Sequence, residues 1–331
     1  MKKIIKKMLP KKIIYLLKIR RLGKAYRIDK HRFLKSAFNL VRIRNQENLE
    51  AKITFHYHAL EKGLSNVDFR EGFGEYAYTE LIKTLKQFNK LKYDSNSVAF
   101  LTGISVLNEY VKKHEFSKVN TDFIKKSINE LTITPVDTNL GGVFTLYNDE
   151  IVAKSKGNFE ELALSRYSVR DYSTSAVNLE LINQALEIAK KTPSVCNRQP
   201  WHTYVIRDKN LIIDLLAVQG GFRGHGRNID TLILVTSNNN FLYDYEERNQ
   251  GFVDSGMYSM SLIYSLHYLG LATCPLNTNM TFKKDKMIRD MLNIPLNQNL
   301  VMFISVGNYE NEFKVPKSSR EPIEKKTTYF L

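Results

Sequence analysis

The first half of the chain is predicted to be mainly helical, because its apolar residues recur three and four positions apart. The clearest apolar stripe comprises Tyr78, Leu81, Ile82, Leu85 and Phe88. Two further helical patterns run through residues 104–111 and 123–131. Helices of this kind bury their apolar faces against one another, so residues 30–131 are expected to form a helical unit.

The second half alternates between patterns typical of strands and of helices. Strands are predicted at residues 143–147, 201–206, 231–236 and 301–306, and helices at 179–189, 211–218, 252–269 and 287–292. Asn178 stands directly before the first of these helices and is a candidate N-cap. Segment 252–269 is apolar on most sides and is expected to be central. The mixture predicts a layered α+β or α/β domain.

A break in the pattern divides the chain. Its 331 residues suit about two domains, and Pro135, Gly141 and Gly142 indicate a boundary within residues 134–157. We predict a basic amphipathic arm at residues 1–35, a mainly helical domain of unassigned role at 36–150, and a second domain at 158–331.

The charge is concentrated at one end. The chain has 49 Lys and Arg against 34 Asp and Glu, but residues 1–35 hold 14 of these cations and a single acid, Asp29. The fold itself is therefore nearly neutral, which argues against a nucleic-acid-binding protein. The two cysteines, Cys196 and Cys274, exclude a disulfide framework and a multi-cysteine zinc site, and they fit a reducing, cytoplasmic compartment.

The basic arm is too polar for a membrane span. Its longest apolar run, residues 13–17, is shorter than a signal-peptide core of roughly 7–15 residues or a span of about 20. Pro10 is expected to separate a short arm from a helix. The spacing of Ile13, Leu16, Leu17 and Ile19 allows residues 1–27 to lie on an anionic membrane surface, peripheral on its inner face. The alternatives are a solvated arm or a helix packed on the rest of the protein.

Three polar segments could hold a ligand. Arg166-Tyr167-Ser168-Val169-Arg170 places two guanidiniums around a hydroxyl, a donor set that suits a phosphate. The loop from Pro193 to His202 carries Ser, Asn and Gln between two prolines, and this rigid frame suits a flat heteroaromatic ligand. Lys317-Ser318-Ser319-Arg320 offers two more cations after the last predicted strand. Taken singly, each segment also fits an ordinary surface loop.

Together with Gly270-Leu271-Ala272-Thr273-Cys274-Pro275, which follows the long helix, these segments resemble the signature of the nitroreductase family. The resemblance covers residues 158–331, and the proline loop is its specific element. It implies an α+β fold with a mixed sheet flanked by helices, preceded here by the mainly helical N-terminal domain. It also implies a homodimer with FMN at the interface, and NADH or NADPH as co-substrate.

The resemblance assigns FMN contacts by position. Arg166 would face the phosphate and Arg170 the pyrimidine edge of the ring, with Tyr167 and Ser168 between them. Lys317 and Arg320 would complete the phosphate site. Pro275 and Leu276 would pack near the ring. The second subunit would contribute the proline loop, through Pro193, Ser194, Val195, Asn197 and Gln199.

Two departures from the family pattern stand near these positions. Some members have Glu-Gly where this chain has Asn277-Thr278, which puts the contact to flavin N5 in doubt. Lys317 and Arg320 are three apart instead of two, so either cation alone can serve. FMN carries the chemistry, so no catalytic side chain and no metal are expected. The implied reaction is a ping-pong transfer from NAD(P)H to a nitroaromatic, a quinone or a dedicated metabolite.

Four other features have two interpretations each. Cys196 is expected to be packed, although it could be redox-active, and Cys274 is expected to be buried. The glycine-rich segment 220–226 is either a mobile cover of the acceptor pocket or a surface loop. Residues 243–248 fit a solvated charged turn better than a pocket wall. His58 and Glu61 fit a structural pair on one helix face better than a metal site.

Function has three competing interpretations. The first is the FMN-dependent oxidoreductase. The second keeps FMN but places a physiological substrate, such as a peptide, a glycan precursor or a membrane quinone, at the N-terminal half. The third is a non-catalytic flavin-binding or scaffold protein, membrane-proximal through its basic arm.

Overall fold

The computed structural model describes residues 10–36, 45–131, 140–222, 225–226 and 228–331. Five helices make up the described part of the first half: α1 (Lys11–Ser36), α2 (Gln46–Leu64), α3 (Glu75–Lys90), α4 (Val98–Lys113) and α5 (Asp122–Leu131). Helix α2 begins where the side chain of Asn45 accepts a hydrogen bond from the amide of Asn48. The predicted stripe on α3 is confirmed, since Leu81, Ile82, Leu85 and Phe88 are all buried.

The second half contains the predicted strands and helices in the predicted order, together with three elements that were not predicted, at residues 148–155, 159–165 and 312–316. They are β1 (Val143–Tyr147), α6 (Asn148–Ser155), α7 (Phe159–Ser165), α8 (Leu179–Ala189), β2 (Trp201–Ile206), α9 (Lys209–Gln219), β3 (Thr231–Asn238), α10 (Gln250–Tyr268), β4 (Leu271–Asn277), α11 (Phe282–Leu292), β5 (Gln298–Asn308) and β6 (Glu312–Pro316). The predicted N-cap is confirmed, because the Asn178 side chain accepts from the amide of Glu180.

The central sheet has the strand order β2-β3-β5-β4. Its three pairings are antiparallel. We expected a mixed sheet, but among the described strands the sheet is purely antiparallel. Both faces of β3 are buried. Leu232 and Leu234 pack with α9 and α11, while Ile233 and Val235 pack with α8 and α10. The α+β class, with a sheet flanked by helices, is confirmed.

The segment after the predicted boundary packs with the C-terminal half. Strand β1 pairs with β6, with Val143 opposite Pro316 and Tyr147 opposite Glu312. Ile151 of α6 is buried in the core on one face of the central sheet. Helices α2 to α5 surround a separate apolar core. The domain limits at 35, 150 and 158 stay a prediction.

Helix α1 begins directly after Pro10, as the sequence predicts. Ile13, Leu16, Leu17 and Ile19 are all largely exposed. Ion pairs join this helix to the C-terminal half, with 3.2 Å between Lys18 and Asp244 and 2.9 Å between Arg248 and Asp29. In the described parts of the chain, no helix combines the length and the apolar character needed to cross a membrane.

Candidate functional site

Six of the predicted site residues line one cavity of about 590 Å³. They are Arg166, Tyr167, Ser168, Arg170, Lys317 and Arg320. Helix α2 closes the cavity from the other half of the chain with Thr54, Tyr57 and His58. No carboxylate is among the described residues that line it, so the cavity presents four cations and several hydroxyl groups to one volume.

Segment 166–170 lies along β4, an edge strand of the central sheet. The amide of Val169 donates to the carbonyl of Thr273 in β4 at 2.9 Å. The hydroxyl of Tyr172 donates to the Val169 carbonyl at 2.8 Å and lies 2.7 Å from Oγ of Ser305. The ring of Tyr172 packs directly on Gly307, where an added Cβ would lie 2.6 Å from the ring. The cationic segment is therefore fixed by buried contacts.

A buried histidine supports the start of this segment. Nε2 of His267 lies 2.9 Å from Oγ of Ser165, and its Nδ1 lies 2.9 Å from the hydroxyl of Tyr309. Burial, aided by the nearby charge of Arg166, lowers the pKa of His267 to about 4. The imidazole is therefore neutral at pH 7, and it can bond both hydroxyls without placing a second cation beside Arg166.

The two C-terminal cations, Lys317 and Arg320, lie in the segment that directly follows β6. The amide of Lys317 donates to the carbonyl of Gly142 at 3.1 Å. The hydroxyl of Ser319 donates to the carbonyl of Leu140, and Nη1 of Arg320 to the carbonyl of Ser318. The segment at 140–142 thus positions the two cations, although no sequence pattern connected these regions.

Helix α2 contributes a buried acid behind the cavity wall. Glu61 is fully buried and accepts from the amide of Gly142 at 3.3 Å, while its other oxygen lies 3.2 Å from Nδ1 of His58. The expected His58–Glu61 pair is confirmed. Burial raises the pKa of the Tyr57 hydroxyl, with a smaller opposing effect from its bond to Thr54. Tyr57 was not predicted as a site residue, because the polar and aromatic cluster around it matches no family pattern.

The proline loop lies outside this cavity. Its residues 195–197 form a 3-10 turn, and Cys196, Asn197 and Gln199 all have left-handed backbone, with φ between 48° and 54°. The amide of Val195 donates at 3.2 Å to Asp254, a fully buried carboxylate of α10. Among the described residues lining the cavity, none belongs to the loop. A single chain therefore does not bring Pro193, Ser194, Val195, Asn197 and Gln199 to the four cations.

Known proteins match this half of the chain. The sequence model of the nitroreductase family matches residues 163–221 and 217–308. Residues 163–308 belong to the nitroreductase family. This result confirms the resemblance drawn from the motifs, and with it the expected class of enzyme, an oxidoreductase of the nitroreductase type. Proteins of this family are FMN-dependent and use NAD(P)H.

Individual relatives are distant. A 4-nitrobenzoate reductase of Nocardioides sp. is 24% identical over 225 residues, which span 52% of this chain and 89% of that protein. Iodotyrosine deiodinase 1 of Sus scrofa is 25% identical over 205 residues, 54% of this chain and 71% of that protein. The solved structure of an FMN-dependent nitroreductase from Clostridium difficile is 23% identical, with a TM-score of 0.41, and the match covers 50% of this chain and 94% of that one.

Two predicted contacts of the nitroreductase domain lie on β4. Leu276 is buried in the core, and Pro275 is half-buried. Neither is among the described residues that line the cavity. The departure at Asn277-Thr278 is built into the fold, because the Asn277 carbonyl accepts from Gln219 at 3.1 Å and the Thr278 hydroxyl bonds the carbonyl of Val301 at 3.1 Å.

The two cysteines differ. Cys274 is buried, as expected, and burial raises the pKa of its thiol, while Arg170, Lys62 and Arg166 lie close enough to oppose that shift. The expectation that Cys196 is packed was wrong, because the loop backbone turns this side chain into solvent.

The turn at residues 243–248, expected to be a solvated charged turn, makes contacts with two other segments. Asp244 and Arg248 bond α1, and Glu247 bonds Arg198 of the proline loop at 2.7 Å, so the turn is a contact point and not simply solvated.

Proposed function

We propose that this protein binds FMN in the cationic cavity and passes electrons from NADH or NADPH to a small-molecule acceptor. The observation that carries the proposal is the convergence of Arg166, Arg170, Lys317 and Arg320 on one volume without an opposing carboxylate. A phosphate dianion needs that charge, and the planar forks of arginine suit its oxygens. The residues present therefore fit FMN.

The individual roles are those that the family resemblance implies for these residues. Arg166, Ser168, Lys317 and Arg320 would hold the phosphate, and Arg170 would face the pyrimidine edge of the ring. The buried supports of segment 166–170 keep these donors in place before the ligand arrives, which reduces the entropy lost on binding. Tyr57 and His58 would cover the cavity from the helical region.

When bound, FMN would supply the redox chemistry, a two-electron transfer from NAD(P)H to the acceptor. For a nitro compound the balance is NADH plus one proton and R–NO₂ giving NAD⁺, R–NO and water. Arg170 would stabilise the negative charge that develops on the pyrimidine edge, because its guanidinium is already fixed nearby. The chain needs no nucleophile of its own for this reaction.

A homodimer is part of the proposal. The proline loop presents its polar residues outward on a rigid backbone, away from the cavity of its own chain. Helix α10 exposes Phe252, Val253 and Met257 next to it, an apolar surface that a second copy would cover. Light scattering should give the mass of a dimer. The Met257→Glu variant should shift that mass toward the monomer, whereas Met287→Glu, on the exposed side of α11, should not.

Membrane contact through α1 is the alternative that an observation favours. Its apolar residues are exposed among many cations. Washing membranes with high salt should release the protein if anionic lipid holds it, and a protein found only in the soluble fraction would remove this idea.

The first test is the visible spectrum of the purified protein, before and after anaerobic NADH or NADPH. Flavin bands that bleach on addition are expected. Arg166→Gln should lose the flavin, whereas Arg289→Gln, which removes a guanidinium bonded to Asp285 on α11, should keep it. A colourless wild-type protein that takes up no added FMN would overturn the proposal. Bound flavin that neither nicotinamide reduces would favour the non-catalytic alternative.

A further inference from the structure

A second cavity, of about 620 Å³, lies between the two halves of the chain. One wall is helix α2 and the segment after it, with Lys62, Gly63 and Phe73. The other wall contains Gly220, Gly221 and His225, from the described part of the glycine-rich segment 220–226. Neither the family signature nor the proposed FMN site accounts for it.

The second cavity adjoins the first. Nε2 of His225 lies 3.0 Å from the carbonyl of Lys62, and its Nδ1 lies 3.3 Å from Oδ2 of Asp171. Asp171 directly follows Arg170, which lines the cationic cavity. A ligand in the second cavity would therefore lie beside whatever occupies the first.

Lys62 gives the second cavity its chemistry. In the described part of the chain no ion pair joins its ammonium to a carboxylate, and the only acid lining the cavity, Asp68, is exposed. Burial lowers the pKa of Lys62, and the charge of Arg170 lowers it further. Arg170 likewise has no ion pair with a carboxylate among the described residues, and an anion that binds near two such cations stabilises both.

Besides Lys62, the described polar residues that line the second cavity are Asn66, Asp68, His225 and the exposed Arg70, and the remaining lining is apolar side chain or glycine backbone. Gly63 lets the ring of Phe73 lie directly on the backbone of α2, where an added Cβ would be 1.9 Å from the ring. Gly220 and Gly221 present backbone without side chains on the opposite wall. A planar ring fits between such walls better than a branched aliphatic group does.

We propose that this second cavity is the acceptor site, and that Lys62 binds the carboxylate of a small aromatic acceptor. The inference rests on the proposed function and deepens it. The helical region thereby selects the acceptor, because α2 supplies the cation that binds its carboxylate.

The test compares Lys62→Met with a matched control on the same helix, Lys52→Met, whose ammonium pairs with Glu80 outside both cavities. Benzoate has no nitro group for the enzyme to reduce. Calorimetric titration of the purified protein with benzoate therefore measures the affinity of the second cavity for an aromatic carboxylate. We expect binding at least tenfold weaker in Lys62→Met, unchanged in Lys52→Met, and largely restored in Lys62→Arg. Equal affinity in Lys62→Met and wild type would overturn the inference, as would no binding by wild type.

Steady-state kinetics provides the second readout. Lys62→Met should raise KM for 4-nitrobenzoate about tenfold or more and leave kcat/KM for nitrobenzene unchanged. Equal losses for both acceptors, or slower reduction of the flavin by NADH, would assign Lys62 to the flavin and overturn the inference. A wild-type protein without flavin would instead defeat the proposed function, and the benzoate titration would still test the cavity.

Discussion

The cationic cavity and the proline loop were predicted as parts of one site, but they are built differently. The cavity gathers residues 54–58, 166–170 and 317–320, and buried bonds to strands and to segment 140–142 hold them. The loop is held by its own left-handed backbone, by the bond from the Val195 amide to the buried Asp254, and by the pair between Arg198 and Glu247. One chain supplies every described residue that lines the cavity, whereas the polar residues of the loop lie outside it.

The largest expected effect is on the pH dependence of the free energy of unfolding. It concerns His267, which supports the cavity and not the loop. Its pKa is about 4 in the folded protein and about 6.5 when unfolded, so the unfolded state binds more protons between these values. Stability should therefore fall as the pH drops from about 6.5 toward 4, by up to about 3 kcal/mol. Urea unfolding at several pH values should show this slope in wild type and a flatter one in His267→Gln. Identical slopes would contradict the assignment.

Gly307→Ala is expected to destabilise the cavity wall at segment 166–170 and to leave the proline loop unchanged. The new Cβ would meet the ring of Tyr172 at 2.6 Å and displace the support of segment 166–170. Overpacking of this kind costs about 1–3 kcal/mol. Hydrogen exchange should speed up at the amide of Val169 and stay unchanged at Val195. Gly256→Ala, where an added Cβ meets nothing within 4 Å, is the control.

Asp254→Ala is the converse experiment on the loop. It removes the acceptor of the Val195 amide and of the Gln250 side chain. Leaving a buried donor unpaired costs about 1–3 kcal/mol. Exchange should now speed up at Val195 and not at Val169, and Asp254→Asn, which keeps one oxygen, should lie between the two. Equal changes at both amides would mean that the cavity and the loop are one cooperative unit.

The smallest effect is expected at the pair between Arg198 and Glu247. Both side chains are partly exposed, so salt should screen the interaction. Glu247→Gln should lower the melting temperature slightly at low ionic strength and not at 1 M salt. Glu187→Gln, at a more exposed pair with Lys190, should change it less. A loss that persists at high salt would indicate that the pair is a structural anchor of the loop.

Much of the fold could be predicted from the sequence, because helices and strands leave local signals. The stripe on α3, the cap at Asn178 and the apolar run along β3 each depend on neighbours within a few residues. The membership of the nitroreductase family could likewise be predicted, since its signature lies in short, contiguous motifs.

The sequence by itself therefore determined most of the helices and strands, the family, and the four cations that line the cavity. Only the tertiary structure decided that α2 closes one cavity and supplies Lys62 to another, that Cys196 is exposed, and that residues 244–248 contact α1. The physical reason is separation along the chain. Contacts such as Glu61 with Gly142, or Lys62 with His225, join residues 81 and 163 positions apart, and nothing local to either residue encodes its partner.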